Sequence, residues 1–67
     1  MRIDRVKLIT EMAQRDMRVI DLAEKAGVSR MTVTAVRGGK TCSASTAEKL
    51  ATALGVDVTE ILRQEEG

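Results

Sequence analysis

The sequence has no Phe, Tyr or Trp, no His and no Pro, and Cys42 is its only thiol. Without aromatic rings there is no platform on which unstacked bases could lie, which removes the commonest readers of single-stranded nucleic acid. Without His, and with one Cys, no intramolecular disulfide, Cys/His zinc site or Cys/His dyad can be assembled. No metal or cofactor is expected, and catalysis becomes an unpromising destination. Apolar runs are short as well: none exceeds two residues with Gly left aside, as at Val19-Ile20 or Ile61-Leu62. That leaves no membrane span and no signal-peptide core. The reading is a reduced, cytoplasmic protein of one domain over residues 1–67, with an aliphatic core drawn from the apolar 43%.

Net charge is only +1, but its distribution is uneven. Residues 1–40 carry nine basic groups against five carboxylates, a net of +4, and the remainder carries two against five, a net of −3. No carboxylate occurs between Glu24 and Glu48, whereas Lys25, Arg30, Arg37 and Lys40 fall inside that interval. One contiguous stretch is therefore purely cationic, as a solvated face or an anion-binding face would be.

Gly at 27, 38, 39 and 55 punctuates an apolar pattern of helical period. Ile3, Val6, Ile9, Met12 and Ala13, with Leu8 beside them, predict a first helix over 3–14 with that set inward. Ile20 with Ala23 and Leu22 with Ala26 predict a second over 18–25, ended by Gly27. Ser29 is a natural N-cap for a third, whose Val33 and Val36 face inward and which Gly38-Gly39 ends. Ser45-Thr46-Ala47-Glu48 has the form of a capping box before a fourth over 46–54, with Gly55 as terminator. Asp57-Val58-Thr59-Glu60 repeats that form before Ile61 and Leu62 as a fifth, and residues 63–67 read as a frayed polar tail. No strand pattern competes, so the fold expected is a compact all-α one of five helices.

Only Gly27, Val28 and Ser29 separate the second and third helices, so the two should cross steeply rather than lie side by side. Val28 plugs the core beneath the turn. The third helix is then left with Arg30, Met31, Thr34, Ala35 and Arg37 outward, a cationic face suited to the major groove of a duplex.

Leu22-Ala23-Glu24-Lys25-Ala26-Gly27-Val28-Ser29-Arg30-Met31-Thr32-Val33-Thr34-Ala35-Val36 resembles the helix-turn-helix of the phage Cro/repressor type, the xenobiotic-response-element family. Gly39-Lys40, then Thr46-Ala47-Glu48-Lys49-Leu50-Ala51-Thr52-Ala53-Leu54-Gly55-Val56, is similar to that family's fourth helix, and Glu60-Ile61-Leu62 to its fifth. The resemblance implies a lambda-repressor-like fold with the helix-turn-helix at about 18–37, and a homodimeric transcriptional regulator, a repressor in the main, of bacterial or phage type. It implies that Arg30, Met31, Thr34 and Ala35 read base edges. Phosphate contacts are implied at Arg18, Val19, Ser29, Arg37, Gly39, Lys40 and Thr41.

Two positions depart from the family pattern. The second helix usually opens with a Ser or Thr cap followed by Gln, whose amide bridges a phosphate to the recognition helix; here Arg18-Val19 stands there, and a valine side chain cannot make that bridge. Cys42 stands where Pro is frequent and brings no chemistry. Arg30 and Met31 could equally be a phosphate ligand and a solvated surface residue. The rival function is a helix-turn-helix that meets protein, such as an antitoxin or regulatory partner. An enzyme, or a binder of a small-molecule substrate, is not expected.

Overall fold

The structure is a computed structural model that describes residues 1–63; of the tail expected to fray, only Arg63 falls within them. Four helices run in order: α1 (Arg5–Gln14), α2 (Val19–Ala26), α3 (Arg30–Arg37) and α4 (Ala44–Leu54), followed by a single 3₁₀ turn, Val58–Glu60. The expected all-α fold is present, but the fifth helix is only that turn. Asp57 and Glu60 do cap it, Asp57 Oδ1 accepting from Thr59 N at 2.9 Å and Glu60 Oε2 from Asp57 N at 3.2 Å. The next carbonyl is taken elsewhere, because Ile61 O accepts from Asp4 N at 2.8 Å and Leu62 forms an isolated antiparallel bridge with Ile3. A helix could not continue through residues committed to an extended pairing.

The same pairing shortens α1. Ile3 is buried, but as part of an extended N-terminal strap, and the helix starts after Asp4, whose Oδ1 accepts from Val6 N and Lys7 N at 2.9 and 3.1 Å. With Ile3 outside the helix, the inward face is not the expected one. Leu8 and Met12 are buried, Ile9 is half-buried, and Val6 and Ala13 lie in solvent, Val6 at 68% exposure. At α4 the cap is Ser43, not Ser45. Its Oγ accepts from Thr46 N at 3.1 Å and donates to Thr46 Oγ1 at 3.0 Å; at α3, Ser29 Oγ likewise accepts from Thr32 N and shares a hydrogen bond with the Thr32 hydroxyl.

All four helices end in the same six-residue turn. An amide beyond the helix reaches back five residues to a carbonyl in the last turn: Met17 N to Met12 O, Val28 N to Ala23 O, Lys40 N to Ala35 O and Val56 N to Ala51 O, at 2.9 to 3.0 Å. Each requires a left-handed residue, supplied by Asp16 (φ 53°), Gly27 (73°), Gly39 (102°) and Gly55 (72°). In three of the four, the residue donating that amide is apolar and packs against the core: Met17, Val28 and Val56. The fourth is Lys40, and it is exposed.

Thirteen side chains form one buried cluster among the described residues, led by Ile3, Leu8, Leu22, Leu50, Leu54 and Ile61. Each large member is worth about 1.5–3 kcal/mol of apolar transfer. Helix α2 packs on α4 and on α3. Small buried residues, Ala23 on α2 and Ala47, Ala51 and Ala53 on α4, allow a close approach of backbones.

Candidate nucleic-acid interface

The turn between α2 and α3 is built on Gly27. A Cβ placed there would meet nothing within 4 Å, so glycine serves backbone conformation and not space. Val28 packs beneath it as expected, and Ser29 starts α3, accepting from Thr32 N at 3.1 Å. Val33 and Val36, at 0% and 2% exposure, pin one side of α3. At 100° per residue the opposite side is centred on Met31 and Thr34. Met31 is 82% exposed, the most of any large apolar residue, and Thr34 and Arg30 are also exposed. Ala35, expected to point outward, is half-buried at the edge of this face. Its carbonyl accepts from Gly38 N and Lys40 N, because the helix-ending turn folds over it.

Arg18, Val19 and Ile20 at the start of α2 and Arg30, Met31 and Thr34 of α3 line one open hollow of about 540 Å³. Five of the residues singled out from sequence therefore converge on one surface. Arg37 lies elsewhere, in a hollow of about 330 Å³ shared with Arg18, Val19 and the end of α1 at Ile9, Met12 and Ala13. Gly39, Lys40 and Thr41 form the corner beyond α3, where Thr41 is tied to Arg2 by an isolated bridge. The three groups lie at the start of α2, along α3 and at its far end.

Electrostatically the α3 surface is unopposed. Among the described residues the ion pairs are Arg15–Glu11 at 2.8 Å and Arg18–Asp21 at 3.1 Å, so Arg30, Arg37 and Lys40 have no carboxylate partner. Arg18 differs from expectation, since its guanidinium is engaged by Asp21. The signal for that was the three-residue spacing of a helix N-terminus, with an acid able to accept from the cap amide. Val19 is packed against the core through its side chain, so its main-chain amide is what it can offer an anion. The thiol of Cys42 is pushed up by burial, which keeps it protonated and unreactive at neutral pH.

A model of the Cro/C1-type HTH DNA-binding domain matches residues 7–66. No curated protein matches the chain. Two solved structures are similar to it over its whole length, native PhpD with cadmium atoms and PhpD with cadmium complexed with hydroethylphosphonate, each with a TM-score of 0.84 at 25% identity. The chain spans 15% of the length of PhpD, to which the cadmium and the phosphonate belong. Among the described residues no helix is long and apolar enough to cross a membrane.

Proposed function

The chain belongs to the Cro/C1-type helix-turn-helix DNA-binding family, and from that premise we propose that it is a sequence-specific transcriptional regulator that inserts α3 into the major groove of duplex DNA. The observation that carries this reading is the two-sidedness of α3. Val33 and Val36 fix its inner side at near-zero exposure, while Arg30, Met31 and Thr34 stand out on the other, where among the described residues no carboxylate pairs with Arg30. A helix of about 10–12 Å diameter fits a groove about 12 Å wide.

In this reading Arg30 makes a bidentate contact with guanine O6 and N7, Met31 and the rim methyl of Ala35 meet a thymine methyl, and Thr34 donates or accepts at a base edge. Ser29, the main-chain amide of Val19 and the side chains of Arg18, Arg37, Lys40 and Thr41 take phosphates and set the register, with Gly39, which has no side chain, leaving room for the duplex backbone beside Lys40. Lys40 supports this assignment by contrast: the other three helix ends bury an apolar residue at its position, and here a cation is presented to solvent. The regulator acts as a repressor in the cytoplasm, as a single domain paired two-fold with a second copy on half-sites ~34 Å apart.

Selection from random duplexes tests the proposal, and recovery of a palindrome is the expected result. Binding to the recovered site should weaken steeply as salt rises, because neutralised phosphates release counterions. Enrichment of no sequence, with no salt-dependent binding to any duplex, would favour a helix-turn-helix that meets protein.

A further inference from the structure

The extended pairing between residues 2–4 and 61–63 brings Arg63 beside two arginines from the start of the chain, Arg2 and Arg5. Arg2, Arg5 and Arg63 line one hollow of about 320 Å³ with Ile3, Asp4 and Gly39, and all three arginines are exposed. Main-chain bonds hold them there. Arg63 N donates to Arg2 O at 3.0 Å, Asp4 N to Ile61 O at 2.8 Å, and Arg2 is bridged to Thr41. Lys7 adds a fourth cation nearby, with Nζ 3.5 Å from Leu62 O. Among the described residues the carboxylate in the hollow is that of Asp4, whose Oδ1 caps α1. Among the described residues none of the three guanidiniums is in an ion pair.

Like charges gathered at one wall repel, and a multiply hydrogen-bonding anion relieves that repulsion while matching the planar donors of arginine. The hollow opens on Gly39, the residue before Lys40, so it is continuous with the corner assigned above to phosphate. Resting on that DNA-binding reading, we infer that Arg2, Arg5 and Arg63 form a second phosphate subsite, which takes a backbone phosphate of the same duplex outside the contact at Lys40. The recognition surface then extends from α3, around the corner, to the junction of residues 2–5 with residues 61–63.

The triple substitution Arg2→Gln, Arg5→Gln, Arg63→Gln in the full chain removes the charges and leaves the main-chain ties in place. It should bind a long duplex roughly threefold to tenfold more weakly and lower the salt slope by about one. Trimming the flanks of the duplex should weaken the wild type by a similar factor and leave the variant unchanged. An equal loss in both proteins on trimming, or an unchanged salt slope, overturns the subsite. A reading independent of DNA comes from the arginine Nε–Hε NMR signals during titration with pyrophosphate. The Arg2, Arg5 and Arg63 signals should move together with one midpoint, and separate or absent responses overturn the shared site. If they move together while the wild type binds no duplex, the DNA reading is what falls, and with it the assignment of the phosphate to a duplex.

Discussion

Arg18 and Asp21 are joined at two points on the first turn of α2, Nε to Oδ2 at 3.1 Å and Nη2 to Oδ1 at 3.4 Å, while the same Oδ2 accepts the Arg18 main-chain N–H at 2.8 Å. The guanidinium bond, then the backbone bond, holds the Asp21 carboxyl below its ordinary value. Asp21 thus takes the very donors that a phosphate at this end of the interface would use. The pair is open to solvent, where such contacts are individually weak and displaceable.

Asp21→Asn should therefore strengthen binding to every duplex and steepen the salt dependence by about one phosphate equivalent, because Arg18 is released. Fluorescence anisotropy with cognate and scrambled duplexes at several salt concentrations measures this. In an Arg18→Ala background the gain should vanish; if it persists, Asp21 acts only through general charge.

Arg30→Ala should cost ~1–3 kcal/mol on the selected site and relax preference at one base pair. Lys40→Ala should weaken cognate and scrambled duplexes alike and lower the salt slope by about one. An Arg30 variant that loses the same factor on both duplexes would place Arg30 among the phosphate contacts instead.

Backbone conformation gives a test that needs no DNA. Gly27→Ala forces a side chain into a left-handed position and should destabilise the fold by about 1 kcal/mol, although there is room for the methyl group. Asp16→Gly should do the opposite by up to ~1 kcal/mol, because Asp16 already adopts φ 53° at the equivalent place after α1. Urea unfolding compares the two, and a gain from Gly27→Ala would remove the conformational argument.

Acid should loosen the turn that closes the fold. The Asp57 carboxyl lies below its ordinary value because Thr59 donates to it, first from its backbone N–H and then from its hydroxyl. The folded state thus prefers the ionised form. This contribution is complete above the ordinary carboxylate range, about pH 4, and is lost as the pH falls through the lower folded value. Asp57→Asn should flatten that part of the stability curve, measured by thermal melts between pH 2 and 6.

Much of this was legible in local sequence, and the failures share a cause. Ser29, Gly27, Val33 and Val36 act within one turn of themselves, so their types and spacing suffice to place α3 and its inner side. The end of α1 at Gln14 agrees with the sequence pattern, but the turn that makes it does not show there, because its left-handed residue, Asp16, is not a glycine. The inward face of α1 and the length of the last element depended on a strap that joins Ile3 to Leu62 and Asp4 to Ile61, across almost the entire chain. No window of helical period contains that information. The sequence places Arg18 as a cation at the start of α2, but its hold on Asp21 is a matter of side-chain geometry.

Every one of the thirteen buried side chains carries a methyl group, being Ala, Val, Leu, Ile or Met. With no ring to flip and no tyrosine or tryptophan to absorb near 280 nm, the interior has no aromatic signal in the near ultraviolet and is wholly visible to methyl NMR. Its internal motion is confined to methyl rotation and aliphatic rotamer exchange, on the picosecond-to-nanosecond scale for the former. Methyl labelling of this small domain would therefore report on the whole interior at once, and show whether occupation of the α3 surface stiffens the layer that Val33 and Val36 share with it.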